Sequence, residues 1–163
     1  MLRHAASRLA SRVQCGAAVP ALASRALSTG SSFATTRTFS EADVAQFVRL
    51  TGDSNPLHAP GDQAIVPGVL AASLFPALIG SKVPGVLYLK QSLAFRSPLS
   101  VGAVARATVT VSRTSGRKVA WATEVRDDAT GRLVVDGEAL ALLPRPGKQD
   151  GATDAAQQPP VAA

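Results

Sequence analysis

Few residues of this chain can move a proton, and two of them stand close together in "TGDSNPLHA", Thr51–Ala59. Asp53 and His58 are separated by four residues, with an Asn-Pro step between them. Pro56 fixes its own φ and biases Asn55 toward an extended conformation, so the segment can form a rigid bend. Such a bend can present both side chains to one cavity. A histidine and an aspartate so placed could hold one water between them, an acid–base pair for adding or removing water. The same spacing also describes an Asx turn at Asp53 beside a solvated or hydrogen-bonded histidine. Spacing alone leaves both open and by itself favours the turn.

Elimination narrows the field. Glu41 and Asp43 fall at a helix start, Asp127 and Asp128 in a turn, and Asp150 and Asp154 in a polar tail. Asp53 is then the acid best placed to work with His58. The other histidine, His4, and the single cysteine, Cys15, both lie in the first 30 residues. That stretch carries Arg3, Arg8, Arg12 and Arg25, is rich in Ala and Ser, and has no acid. It reads as a transit peptide, 1–30, addressed to the mitochondrial matrix, with the plastid as the other possible destination. Its removal would take four of the 17 basic residues, leaving 13 against 11 acids, so the charge of +6 falls to +2. A nucleic-acid partner then loses its electrostatic support. With Cys15 gone there is no disulfide, thiol nucleophile or cysteine zinc site. With one histidine left, no multi-histidine metal site forms within one chain. No run approaches the roughly 18 apolar residues of a membrane helix, so no membrane partner is expected.

The elements that must position the pair follow from pattern. Residues 35–143 form one domain, small enough that a dimer would help its core. The stretch 144–163, rich in Pro, Ala and Gln, reads as a disordered tail. Thr35–Phe39 forms an opening strand. A helix starts at Ser40, an N-cap followed by Glu41 and Asp43, and ends at Gly52. Its apolar face is Val44, Phe47, Val48 and Thr51. "DSNPLHAPGD" is loop. Residues 66–80, "VPGVLAASLFPALIG", are apolar all round and read as a buried helix opened by Gly68 and kinked by Pro76. Free N–H groups at its start could hold a carbonyl oxygen as it gains negative charge. A loop-capped terminus, or a glycine needed only for packing, is the alternative. Strands follow at Val86–Phe95, Ala103–Arg113, Lys118–Arg126 and Arg132–Leu143. The order is that of an α+β domain whose antiparallel sheet wraps around one central helix. A carbonyl at Gly68 beside Asp53 and His58 outlines reversible hydration of a double bond conjugated to that carbonyl.

"FSEADVAQFVRLTGDSNPLH" and "IVPGVLAASLF" together resemble the MaoC-like branch of the hotdog fold. This branch includes R-specific enoyl-thioester hydratases and mitochondrial 3-hydroxyacyl-thioester dehydratases. The resemblance implies a single hotdog domain, a homodimer with its acyl site near the dimer interface, and no cofactor. It implies dehydration of (3R)-hydroxyacyl thioesters in mitochondrial fatty-acid synthesis, the acyl group carried on acyl carrier protein or coenzyme A. Under it, Asp53 and His58 handle the water and the α-proton, Gly68 opens the oxyanion site, and Asn55 shapes the loop. Two departures stand out. Pro67-Gly68 replaces the His-Gly pair of many members, as in dehydratases of plant type, and proline suits a first helical turn. Between His58 and Gly68 there are nine residues, "APGDQAIVP", where the family has nearly twice as many. That loss should leave one pocket wall open or filled by a partner. A hydrolase of acyl thioesters and a binding subunit without turnover are the competing readings. The first is disfavoured because residues 66–80 carry no carboxylate. Residues 63–123 hold seven basic residues and no acid, a face that could meet an acidic carrier protein or coenzyme A phosphates.

Overall fold

A computed structural model describes residues 27–61 and 63–145. The expected transit segment up to residue 26, and the tail beyond residue 145, lie outside the described residues.

Strand β1, Ser32–Thr38, begins three residues before the expected Thr35. It runs antiparallel along β4, Val104–Ser115, from Ser32↔Thr110 to Thr38↔Val104. It is an edge strand in which Phe33 and Thr35 alone are half-buried, so its mostly polar sequence carries little apolar pattern to read. Helix α1, Glu41–Thr51, has the boundaries expected of it. Ser40 Oγ accepts from Asp43 N while the Asp43 carboxylate accepts from Ser40 N, a reciprocal cap. Gly52, at φ 74°, ends the helix in the left-handed conformation that glycine tolerates best. Val44 is buried, and Phe47 and Val48 are half-buried.

The loop expected after Gly52 contains one turn of 3-10 helix, Pro56–His58. Pro56 sits at its first position, where a missing N–H costs nothing. The central helix is in two pieces, α2 (Gly68–Ala72) and α3 (Leu74–Lys82), meeting at Ser73. Pro76 acts one turn upstream of itself: it cannot bond the Ala72 carbonyl and its ring crowds that group. Ser73 fills the break, its N–H shared between Val69 O (3.0 Å) and Leu70 O (3.2 Å). The expected all-round burial is not met within one chain. Ala71, Ala72, Phe75, Leu78 and Ile79 face the sheet, whereas Val69, Pro76 and Ala77 are exposed. A single sheet can cover only one side of a helix.

The sheet is antiparallel, in the order β1-β4-β5-β6-β2. Here β2 is Leu87–Gln91, β5 is Lys118–Asp127 and β6 is Leu133–Leu142. The expected strand Val86–Phe95 is split, with β3, Ala94–Phe95, pairing β6 separately. The split occurs where the Ser92 carbonyl passes directly over Gly137, a spot with no room for any Cβ. Ser92 keeps its contacts with β6 there, its N–H donating to Glu138 O and its Oγ accepting from Glu138 N. In β4 the expected alternation is seen: Ala105, Ala107, Val109 and Val111 are buried against the helix. Trp121, Phe75, Ile79 and Leu99 complete the core.

Replacing Ser40 by Ala should lower unfolding stability by about 1 kcal/mol in urea titration. The Asp43 carboxyl is held below its ordinary 3.8 by hydrogen bonds from the Ser40 backbone and side chain, with Arg37 adding less. A depressed folded value means the stabilisation is present above pH 3.8 and is lost as pH falls through the folded value. The stability gap between wild type and Asp43→Asn should therefore narrow in acid, which denaturation at pH 7 and near pH 3 would check.

Candidate active site

Gly52 turns the chain out of α1, and the next polar side chains build a tight loop from their own backbone. Asp53 Oδ1 accepts from Asn55 N at 3.0 Å. Asn55 Oδ1 accepts from Leu57 N at 3.1 Å, which caps the 3-10 turn. The Asx turn and the acid–base pair are not alternatives here. Asp53 spends one oxygen on the turn and aims the other, Oδ2, at His58 Nε2, 3.7 Å away. That gap is too long for a direct hydrogen bond and suits two groups that share one water.

His58 is oriented from behind. Its Nδ1 lies 2.9 Å from the Ile65 carbonyl. A carbonyl can only accept, so Nδ1 carries the proton, and in the neutral ring Nε2 presents a lone pair toward Asp53. The His58 side chain is 10% exposed and that of Asp53 33%. Ile65 N in turn donates to Leu57 O at 3.0 Å, so the two ends of the short segment are tied in both directions. Its far end is fastened to the chain ahead of β4: Val66 N donates to Leu99 O (2.8 Å) and Val101 N to Ala64 O (3.0 Å). Nine residues between His58 and Gly68 are thus enough to hold the pair.

Asp53, His58 and Gly68 border one cleft of about 410 Å³, with Phe47, Val69 and Phe95 as apolar walls. The start of α2 has no side-chain cap, because its N-cap residue is Pro67. Asn55 does not reach this cleft. It borders a second concavity of about 290 Å³ on the other side of the pair, between α1 and the loop, walled by Val44, Ala45, Val48, Ala59 and Ala64. Among the described residues, Asp53 and His58 alone border both. The pair is thus bordered by concavities on two sides.

Phe95 was missed by sequence reasoning, which had it only as the last residue of a strand. Its ring lies so close over Gly68 that a Cβ there would sit 2.6 Å from Cδ1 and Cε1. A contact between residues so distant in sequence leaves no periodic signal. Among the described residues no group of three His, Cys, Asp or Glu side chains is arranged to hold a metal ion. Of the seven basic residues between 63 and 123, Arg96 and Arg106 are ion-paired with Asp136 and Asp128. The expected positive face is partly neutralised by β6 and the β5–β6 turn.

No protein-family profile matches the chain. Individual relatives do. The mitochondrial 3-hydroxyacyl-[acyl-carrier-protein] dehydratase FERN of Solanum lycopersicum is 36% identical over 132 residues, covering 74% of this chain and 80% of that protein. The (R)-specific enoyl-CoA hydratase of Aeromonas caviae is 36% identical over 134 residues, covering 76% of this chain and all of the relative. The solved structure of the Aeromonas (R)-hydratase superposes with a TM-score of 0.68 at 35% identity, over 74% of this chain and 99% of that one. A split central helix on an antiparallel sheet, a loop that turns Asp53 toward His58, and this level of identity along the domain converge: the chain belongs to the MaoC-like hotdog family of hydro-lyases, the 3-hydroxyacyl-thioester dehydratases and R-specific enoyl hydratases.

Proposed function

We propose that this protein interconverts (3R)-hydroxyacyl thioesters and trans-2-enoyl thioesters, with Asp53 and His58 as the catalytic pair. The observation that carries the reading is the facing of His58 Nε2 and Asp53 Oδ2 across 3.7 Å at the wall of the cleft that also holds Gly68. Both atoms accept hydrogen bonds, so a water between them has both its O–H bonds engaged and an oxygen lone pair free for attack. In hydration one O–H bond breaks, the oxygen bonds Cβ, and the pair relays a proton to Cα. Dehydration runs the same steps backward. Backbone N–H groups at Gly68 would steady the charge that builds on the thioester carbonyl. Asn55 acts by holding the turn, through its acceptor bond to Leu57 N.

The finer setting of this reading is mitochondrial fatty-acid synthesis, with acyl carrier protein or coenzyme A as carrier. The mitochondrial dehydratase of tomato and the arginine-rich first 30 residues support it. Hydrolysis of the thioester is disfavoured, since α2 and α3 carry no carboxylate. A binding subunit without turnover is kept in view by the second concavity, which opens the pair to solvent. Pairing into a homodimer has its own support. β2 is an edge strand with Leu87 58% and Leu89 44% exposed, and the central helix leaves Val69, Pro76 and Ala77 bare. Apolar side chains on an unpaired edge invite a second chain.

Mixed with crotonyl-coenzyme A or the matching carrier-protein thioester, the purified chain should consume the enoyl absorbance without releasing thiol. Asp53→Asn and His58→Ala should each lower kcat by at least about a hundredfold. Thiol release would point to hydrolysis, and a folded, silent protein to a binding subunit. Asn55→Ala should cost on the order of tenfold in kcat by loosening the pair, with KM little changed. In sedimentation the wild type should run as a dimer and the Leu87→Asp, Leu89→Asp variant as a monomer; a monomeric wild type would sink the pairing.

A further inference from the structure

Two clefts meet beside the pair, and Phe95 lines both of them. The first runs from Asp53 to Phe47 and Val69. The second, of about 330 Å³, runs toward Ser97, Leu99 and Val134. His58, Gly68 and Phe95 are the residues that border both. Phe95 is 56% exposed, so its ring is not part of the core. Its backbone is nonetheless pinned. Phe95 pairs with Val135, Arg96 N donates to Val134 O at 2.8 Å, and the Arg96 guanidinium forks onto Asp136 at 2.9 and 3.3 Å. A large apolar ring held rigidly in water beside a reactive pair gains most when an apolar, flat ligand covers it.

We infer that Phe95 is a positioning residue for the thioester. Its ring, seated on Gly68, is the wall that holds the reacting carbons against Asp53 and His58 and separates the path of the acyl chain from that of the carrier arm. The inference rests on the dehydratase reading above. It also accounts for Gly68 on steric grounds, because any Cβ there would push the ring away from its seat.

The test is kinetic and uses the full chain. Phe95→Ala should lower kcat for crotonyl-coenzyme A hydration by about tenfold or more, and Phe95→Tyr should restore most of it. Melting temperature and sedimentation should stay those of the wild type in both variants. Gly68→Ala should lose activity to a similar degree, and adding it to Phe95→Ala should cost little more. Three results would overturn the inference: wild-type kcat in Phe95→Ala, a loss that tracks unfolding or dissociation and is not restored by Tyr, or losses at the two positions that simply multiply. Binding of crotonyl-coenzyme A by calorimetry is read alongside and should weaken at least about fivefold in Phe95→Ala. Should the wild type hydrate nothing, the dehydratase reading fails on its own, and unchanged affinity in Phe95→Ala would then overturn the role of the ring separately.

Discussion

The hydrogen bond from His58 Nδ1 to the Ile65 carbonyl is the constraint on which the rest of the site depends. It chooses the tautomer of the imidazole, sets the plane of the ring, and so decides that Nε2 faces Asp53. It also closes the short connection onto itself, because Ile65 returns a bond from its own N–H to Leu57 O. A bare loop of this length between a helix and a buried turn would have many conformations, each with ordering entropy to overcome. Here the segment has few. Ala64 and Val66 are fastened by backbone bonds to Val101 and Leu99, so the segment that carries the Ile65 carbonyl is held to the chain ahead of β4.

Close approach is the second theme, and glycine marks it twice. Gly137 lets the Ser92 carbonyl cross the face of β6, which splits the strand and brings β3 to the position from which Phe95 reaches the helix. Gly68 then lets that ring lie on the helix start. Neither glycine is there for a left-handed backbone. Each leaves a space that another group occupies, and the two together shape the cleft around His58. The same economy leaves the central helix half bare. A fold of this size cannot cover both sides of it with a single sheet, which leaves Val69, Pro76 and Ala77 exposed.

Much of this was legible in the sequence. The capped helix 41–51, the alternation of β4 and the turn at Gly52 are local, and local chemistry announced them. The break in the central helix was half legible: Pro76 said that it would occur, and the clash with a carbonyl four residues back moved it to Ser73. The start of β1 and the gap at Ser92 were not legible. The first depends on pairing with a distant strand, the second on a glycine 45 positions further along.

For the site, residue types determined which groups can do chemistry. Asp53, His58 and the Asn-Pro step allowed a rigid bend that could bring one acid and one imidazole together, but spacing alone favoured a plain Asx turn. What the sequence left undecided was direction. Whether Asp53 spends its carboxylate on the turn or on the histidine, which ring nitrogen faces the cleft, and which apolar residue closes it all depend on partners brought from elsewhere. Ile65, Gly68 and Phe95 answer those questions only once the sheet and the helix have folded together, since hydrogen-bond direction and van der Waals contact are properties of positions in space and not of spacing along a chain.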